Sequence, residues 1–224
     1  MTEAAAAPVI AIDGPSGSGK GTLAERLAER LGWHLLDSGA LYRIVACEAL
    51  DRGVAVDDAA ALGALGRGLD IRFDDATVLV DGRDRTRDIR TEAVSAAASG
   101  VAALQPVRDA VLDLQRAQRR PPGLVADGRD MGTVVFPDAP LKVFLDAGLE
   151  ERADRRHRQL LERGERVDRD DVLAALAERD DRDRNRDVAP LRPAADALII
   201  DSSRLSADDV LAHVLAAARK AGLC

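Results

Sequence analysis

Nine residues near the N-terminus, GPSGSGKGT at 14–22, combine two things an anion-binding turn requires: glycines that let the backbone curl, and a lysine where a helix begins. Gly14, Gly19 and Lys20 satisfy G-x-x-x-x-G-K, directly after an apolar run (Val9–Asp13, VIAID) and directly before an amphipathic stretch at 20–31. In that context the backbone N–H groups of Gly14, Pro15's neighbours Ser16, Gly17, Ser18 and Gly19, and the following Lys20, Gly21 and Thr22, wrap phosphate oxygens. The helix N-terminus adds a favourable dipole, and Lys20 sets a point charge on the β- and γ-phosphates. A ligand-free glycine-rich turn is the bland alternative, and the strand before and helix after weigh against it. A dinucleotide-binding turn is the sharper competitor, since Asp37 ends the next strand-like run. It fails at Thr22, where G-x-G-x-x-G needs glycine or alanine. The loop points to a nucleoside triphosphate.

The elements that must position this loop follow an α/β rhythm. Strand-like runs at 9–13, 33–37, 123–127, 141–146 and 197–201 end in Asp at or near the C-terminal edge, where parallel sheets build their sites. Helical periodicity predicts helices over 20–31, with Leu23, Leu27 and Leu31 on one face and Gly32 as C-cap, and over 39–52, ending at Gly53. Residues 69–90 contain two alternating strand-like runs and an Asp-Gly turn, which predicts a small antiparallel insert. Residues 150–192 carry 12 arginines and 13 acids in a helix–turn–helix pattern with little apolar content. They read either as a solvated, salt-bridged hairpin or as a lid whose arginines close over phosphates.

Composition narrows the class. The chain has 224 residues, 46% hydrophobic, with 32 basic against 39 acidic side chains and a net charge of −7. The apolar share suffices for a core, and the negative balance disfavours a coat for a nucleic acid polymer or an anionic membrane. Only three of the 32 cations are lysines. Cys47 and Cys224 make no disulfide framework and have no zinc-like spacing, which suits a reducing compartment. Residues 1–8 (MTEAAAAP) lack a basic n-region, and no run approaches the ~18 apolar residues of a membrane span, so a soluble, cytoplasmic protein is expected. His34, His157 and His213 share no metal-like spacing, and the absence of an extended apolar stripe makes a monomer the expectation.

A phosphate loop alone does not separate kinases from GTPases or motors. Asp127 is followed by Gly128 where a hydrolytic Glu would stand, and no Asn-Lys-x-Asp guanine signature occurs. A second phosphorylated substrate accounts for arginines near the strand ends, at Arg43, Arg129 and in ERDDRDRNR at 178–186. Taken singly these have ordinary readings: Arg43 could pair with Glu48 or a surface acid, and Tyr42 and Cys47 could be core.

Together the segments carry a resemblance. GPSGSGKGT, LLDSGALYR at 35–43, ADGRDMGTVVFPDAP at 126–140, ERDDRDRNR and the Ala189-Pro190 pair are similar, in order, to bacterial cytidylate kinases, in the P-loop nucleoside-monophosphate kinase family. The GKGT form of the loop is that family's style. The resemblance implies transfer of phosphoryl from ATP to CMP and dCMP with Mg²⁺, which Thr22 would help hold beside the ATP phosphates. It implies an α/β P-loop kinase fold, a five-stranded parallel sheet flanked by helices, as one kinase domain over 1–224. Its core would be 1–61, 91–149 and 191–224, with a small antiparallel monophosphate-binding insert at 62–90 and an arginine-rich helical lid at 150–190. Carried over position by position, the monophosphate site would comprise Ser38, Tyr42, Arg43, Ser99, Arg108, Arg129, Asp130, Arg179, Asp183 and Arg186. In that carry-over Arg43, Arg129 and Arg186 take phosphate, Asp130 takes the cytosine amino group, Ser99 and Arg108 read the base, and Arg179 and Asp183 reach the ribose hydroxyls. The resemblance makes Lys20, Arg129, Arg179 and Arg186 the catalytic set. Two other readings stay open beside it: a nucleotide-hydrolysing switch, and a kinase of the same fold with UMP, AMP or another acceptor.

Overall fold

A computed structural model describes residues 6–74 and 77–224. The N-terminal expectation for 1–8 therefore falls mostly outside the described residues. The chain divides into two compact units, one running up to Leu36 and resuming over Gln118–Cys224, the other Asp37–Ala117.

The first unit is built on a five-stranded sheet of β1 (Val9–Asp13), β2 (His34–Asp37), β6 (Leu124–Gly128), β7 (Leu141–Asp146) and β8 (Leu198–Asp201), in the order β2-β6-β1-β7-β8. β1 lies at its centre and is buried throughout, as its unbroken apolar run requires of a strand covered on both faces. It pairs in parallel with β6 and β7. The register sets Asp13 beside Gly128 and Ile12 beside Asp127, so two acids arrive together at the C-terminal edge. Ile10 and Ile12 pack with Val125, Val143 and Leu145 against Leu23 and Leu27 of α1 (Lys20–Leu31) and Val210 and Val214 of α8 (Ala207–Lys220). Burying each such side chain stabilises by about 1.5–3 kcal/mol. α1 stops where Gly32 enters the left-handed region and its N–H closes on the Ala28 and Glu29 carbonyls.

The helix–turn–helix read from 150–192 is present as α6 (Leu149–Glu162) and α7 (Arg169–Asn185). It is not only a solvated hairpin: Ala153, Leu160, Val172 and Leu176 form a small core between the helices. Its outer face carries the expected ion pairs, Arg169 with Asp154 and Glu150, and Arg182 with Glu178.

The second unit contains α2 (Ser38–Asp51), α3 (Ala59–Gly68), the strands β3 (Ile71–Asp74), β4 (Thr77–Val80) and β5 (Arg83–Asp84), and the helices α4 (Glu92–Val101) and α5 (Gln105–Ala117). α2 begins one residue earlier than its periodicity suggests, because the Asp37 carboxylate caps it by accepting from the Ala40 N–H at 3.2 Å. The antiparallel insert has three strands instead of two. The Asp-Gly turn joins β4 to β5, with Asp81 and Gly82 both at positive φ as a tight hairpin requires. Beneath it the buried Glu48 carboxylate accepts from Arg85 and Arg52. Glu48 is thus taken by those two arginines, and Arg43 pairs with the more exposed Asp37, the surface-acid form of its ordinary reading.

The turn out of β1 tolerates almost nothing at its first residue. Gly14 sits at φ 154°, and a Cβ there would lie 2.0 Å from the Leu145 carbonyl oxygen. Gly14→Ala is expected to cost about 3 kcal/mol or more, since neither backbone can yield without disturbing the central strands. A urea midpoint near wild type in that variant would contradict this placement.

Candidate functional site

The loop from Gly14 to Thr22 leaves the buried end of β1 and enters α1 through Gly19, which occupies the N-cap position at φ 93°. Gly17 is also left-handed, at φ 79°. Among the described residues, no backbone N–H from Ser16 to Thr22 donates to a carbonyl or side chain; the first to do so is Leu23, to the Gly19 carbonyl. Seven N–H donors in succession with no protein acceptor, at a helix N-terminus, form a concave donor array for an anion. The carbonyls that point the other way are tied down. Pro15 accepts from Lys20 Nζ at 2.8 Å, Ser16 from Arg152 at 3.0 Å, and Ser18 from the Ser202 hydroxyl at 3.0 Å. The Ser18 hydroxyl itself is buried without a partner. Beside the loop lies a cavity of about 490 Å³, lined by Gly17–Leu23 and by Arg155, Arg156 and Arg158 of α6.

Around Lys20 the first unit gathers the cations and acids that the sequence spread over 170 residues. Lys20 is buried, and burial together with the Arg129 and Arg179 charges lowers its ammonium to about 7, against the opposing pull of Asp127 and Asp13. Arg129 donates through Nε to Asp183 at 2.9 Å and through Nη1 to the Gly128 carbonyl at 3.1 Å. Burial works against both charges of that pair. Arg129 and Arg179 nevertheless hold Asp183 below the ordinary carboxylate range, and Asp183 and Asp127 hold Arg129 protonated. Arg186 lies 3.8 Å from the Asp130 carboxylate, and its Nε donates to the Ala189 carbonyl at 2.7 Å, where the chain turns back through a positive φ. Lys20, Arg129, Asp130, Arg179, Asp183 and Arg186 are thus brought together.

The second unit orders the rest of the expected set. Ser38, Tyr42 and Arg43 share α2, with Ser38 and Tyr42 buried. Arg43 meets Asp37 at 2.6 Å, while its Nε is buried without a hydrogen-bond partner. Ser99 of α4 and Arg108 of α5 are both buried, and the Arg108 guanidinium lies 5.9 Å from the Tyr42 ring centroid, a cation–π contact between two of the expected residues.

Sequence reasoning missed several supporting groups. Asp13 is one: its buried carboxylate accepts from the N–H groups of Met131 and Gly132, both at 2.8 Å, and so fixes the one-turn helix Met131–Val135 that follows Arg129 and Asp130. Burial is the largest influence on it, ahead of those two bonds and the Asp130 and Asp127 charges, and raises its carboxyl to about 7. A strand ending in Asp was the available signal. Arg152, Arg155 and Ser202 left none beyond the general arginine excess of the hairpin, and Asp180 left only its place within ERDDRDRNR.

For a metal the donors are sparse. Thr22 is exposed in the first turn of α1, and the Asp127 carboxylate comes within 3.7 Å of where a Cβ on Gly21 would stand. Among the described residues, no three His, Cys, Asp or Glu side chains form a cage. One hydroxyl and one carboxylate suit a hard cation that keeps its waters and takes its other ligands from substrate phosphates, the habit of Mg²⁺.

The depressed Lys20 ammonium generates a prediction. A polyphosphate seated in the N–H array would raise that group back toward its ordinary value, so at pH 8 binding should take up close to one proton, and affinity should fall as pH rises from about 7. Calorimetry of ATP binding in buffers of different ionisation enthalpy measures the uptake. Proton-neutral binding with a flat pH profile would contradict the assignment of Lys20.

The family model for cytidylate kinase matches residues 10–220. The chain is 56% identical over 218 residues to the cytidylate kinase of Aeromonas salmonicida, covering 96% of this chain and 95% of that protein. It is 57% identical to that of Sodalis glossinidius, covering 96% of each, and 57% identical to that of Salmonella arizonae, covering 96% and 97%. A loop of open N–H donors around a buried lysine, an arginine cluster beside it and matches spanning nearly the whole chain agree, and the chain belongs to the cytidylate kinase family.

Proposed function

We infer that the chain transfers the γ-phosphoryl group of ATP to CMP and dCMP, giving CDP and dCDP, with the triphosphate held in the loop at 14–22. The observation that carries the assignment to that loop is its run of unpartnered N–H groups around Lys20. An oxygen of the acceptor's phosphate attacks Pγ, the bond from Pγ to the β-bridging oxygen breaks, and ADP leaves. The attacking oxygen is already an anion, so no general base is needed. The protein's task is to hold two polyanions in line and neutralise them. Lys20, Arg129, Arg179 and Arg186 supply that charge in this reading, and arginine's planar fork can bridge oxygens of both phosphates. Mg²⁺, held through the ATP phosphates with Thr22 and Asp127 beside it, would screen the β- and γ-oxygens.

The acceptor is recognised in two parts in this reading. Arg43, whose Nε has no protein partner, takes the phosphate that every nucleoside monophosphate carries. Asp130 takes the cytosine amino group, with Ser99 and Arg108 reading the rest of the base and Ser38 and Tyr42 lining it; Asp183 and Arg179 meet the ribose. Cytosine offers a donor where uracil offers an acceptor, so a carboxylate accepts from the first and opposes the second. The chain acts as a monomer in the cytoplasm in this reading. Among the described residues no helix is long and apolar enough to cross a membrane.

ADP release from MgATP, measured against CMP, dCMP, UMP, AMP and GMP, tests the activity. CMP and dCMP should lead, and ADP release without any monophosphate at a comparable rate would favour a hydrolysing switch instead. Two variants then test the division of labour. Asp130→Asn should lower kcat/KM for CMP and narrow the CMP/UMP ratio, while Arg43→Ala should reduce both substrates about equally. An unchanged ratio in Asp130→Asn would remove Asp130 from base reading even if activity fell.

A further inference from the structure

The phosphate loop is supported from behind by a residue outside every motif discussed so far. Arg152, in the first turn of α6, is among the most buried charged side chains of the first unit, 2% exposed. Its guanidinium reaches three separate segments. Nε donates to the Ala147 carbonyl at 2.9 Å, and Nη1 donates to the Ser16 carbonyl of the phosphate loop at 3.0 Å. The third is Asp180 of α7, 5% exposed, whose two oxygens accept from Nη1 and Nη2 at 3.0 and 2.5 Å. Its Cβ also bears on the loop: a Cβ built on Gly17 would lie 3.2 Å from it, so Gly17 and Arg152 are packed to the limit of contact.

A charge this buried is costly unless paired in good geometry, and the two-point contact with Asp180 supplies the pairing. The remaining donor capacity goes to backbone oxygens, one of them in the loop. That carbonyl matters because a peptide plane is rigid. Fixing the direction of the Ser16 oxygen fixes the plane that carries the next N–H, Gly17, at the start of the donor array.

We propose that Arg152, held in plane by Asp180, is the positioning residue that sets the phosphate loop in its anion-binding conformation, and that it acts on ATP affinity and phosphoryl transfer without touching either nucleotide. The proposal rests on the reading that loop 14–22 takes the ATP phosphates. Lysine cannot replace Arg152, since an ammonium lacks the fork that spans Asp180 and Ser16 together.

The test compares Arg152→Lys, Asp180→Asn, the double variant and Lys20→Ala, each assayed well below its own melting temperature. The readouts are the Kd for ATP without CMP, and KM for each substrate. Arg152→Lys should weaken ATP binding by about tenfold to a hundredfold, with KM for CMP within about twofold. Asp180→Asn should do the same more mildly, and the double variant should be no worse than Arg152→Lys, because both substitutions remove one linkage. ATP affinity within about twofold of wild type in folded Arg152→Lys, equal losses for ATP and CMP, or additive losses in the double variant would each overturn the proposal. Should Arg152→Lys fail to fold, Asp180→Asn decides alone, and unchanged ATP affinity there overturns it. Lys20→Ala separates the two levels: if it weakens ATP and Arg152→Lys does not, the positioning role fails, and if neither does, the loop reading itself has failed.

Discussion

A chain that must present consecutive N–H groups to an anion has to turn the matching carbonyls away from it, and buried carbonyls need donors of their own. The loop between β1 and α1 meets that constraint with Lys20 on Pro15, Arg152 on Ser16 and Ser202 on Ser18. Much of the first unit can be understood from it. The central strand must be buried and rigid so that the loop starts from a fixed point, and Gly14 has no room for a side chain there. α6 must lie close enough for its first-turn arginine to reach the loop, and α8 and β8 must bring Ser202 to its other end.

The same edge of the sheet organises the charged groups. β1 and β6 deliver Asp13 and Asp127 side by side, Asp13 holds the helix Met131–Val135 through two N–H bonds, and Arg129 and Asp130 precede that helix. α7 supplies Asp183 to Arg129 and ends where Arg186 approaches Asp130. Arginines and carboxylates here hold one another in geometry as much as they hold charge for a ligand. That explains why burial depresses the Lys20 ammonium while Arg129 and Asp183, paired with each other, stay ionised.

How far the sequence was readable depended on whether the physics was local. GPSGSGKGT is legible because a phosphate cradle needs closely spaced glycines and a lysine at fixed spacing, and DSGALYR and DGRDMGT through the family resemblance that each short contiguous segment carries. The five strands were legible as short apolar runs ending in Asp. Boundaries slipped by a residue where capping decided them, as when Asp37 took the N-cap of α2. The third strand of the insert, two residues long, has too little pattern to announce itself. Arg152 and Asp180 were invisible, being 28 residues apart in a stretch where every second or third side chain is charged and only packing distinguishes a buried pair from a solvated one. The hairpin's small core hid for the same reason, diluted among arginines and acids.

The central claim is that the loop is already shaped for a polyphosphate. A crystal structure of the chain with ADP and Mg²⁺ tests it most directly. The account predicts the β-phosphate within hydrogen-bonding distance of the N–H groups between Ser16 and Thr22, Lys20 Nζ turned onto it, and a loop backbone within about 1 Å of its present course. A loop that refolds around the nucleotide, or a β-phosphate bound away from those N–H groups, would contradict it.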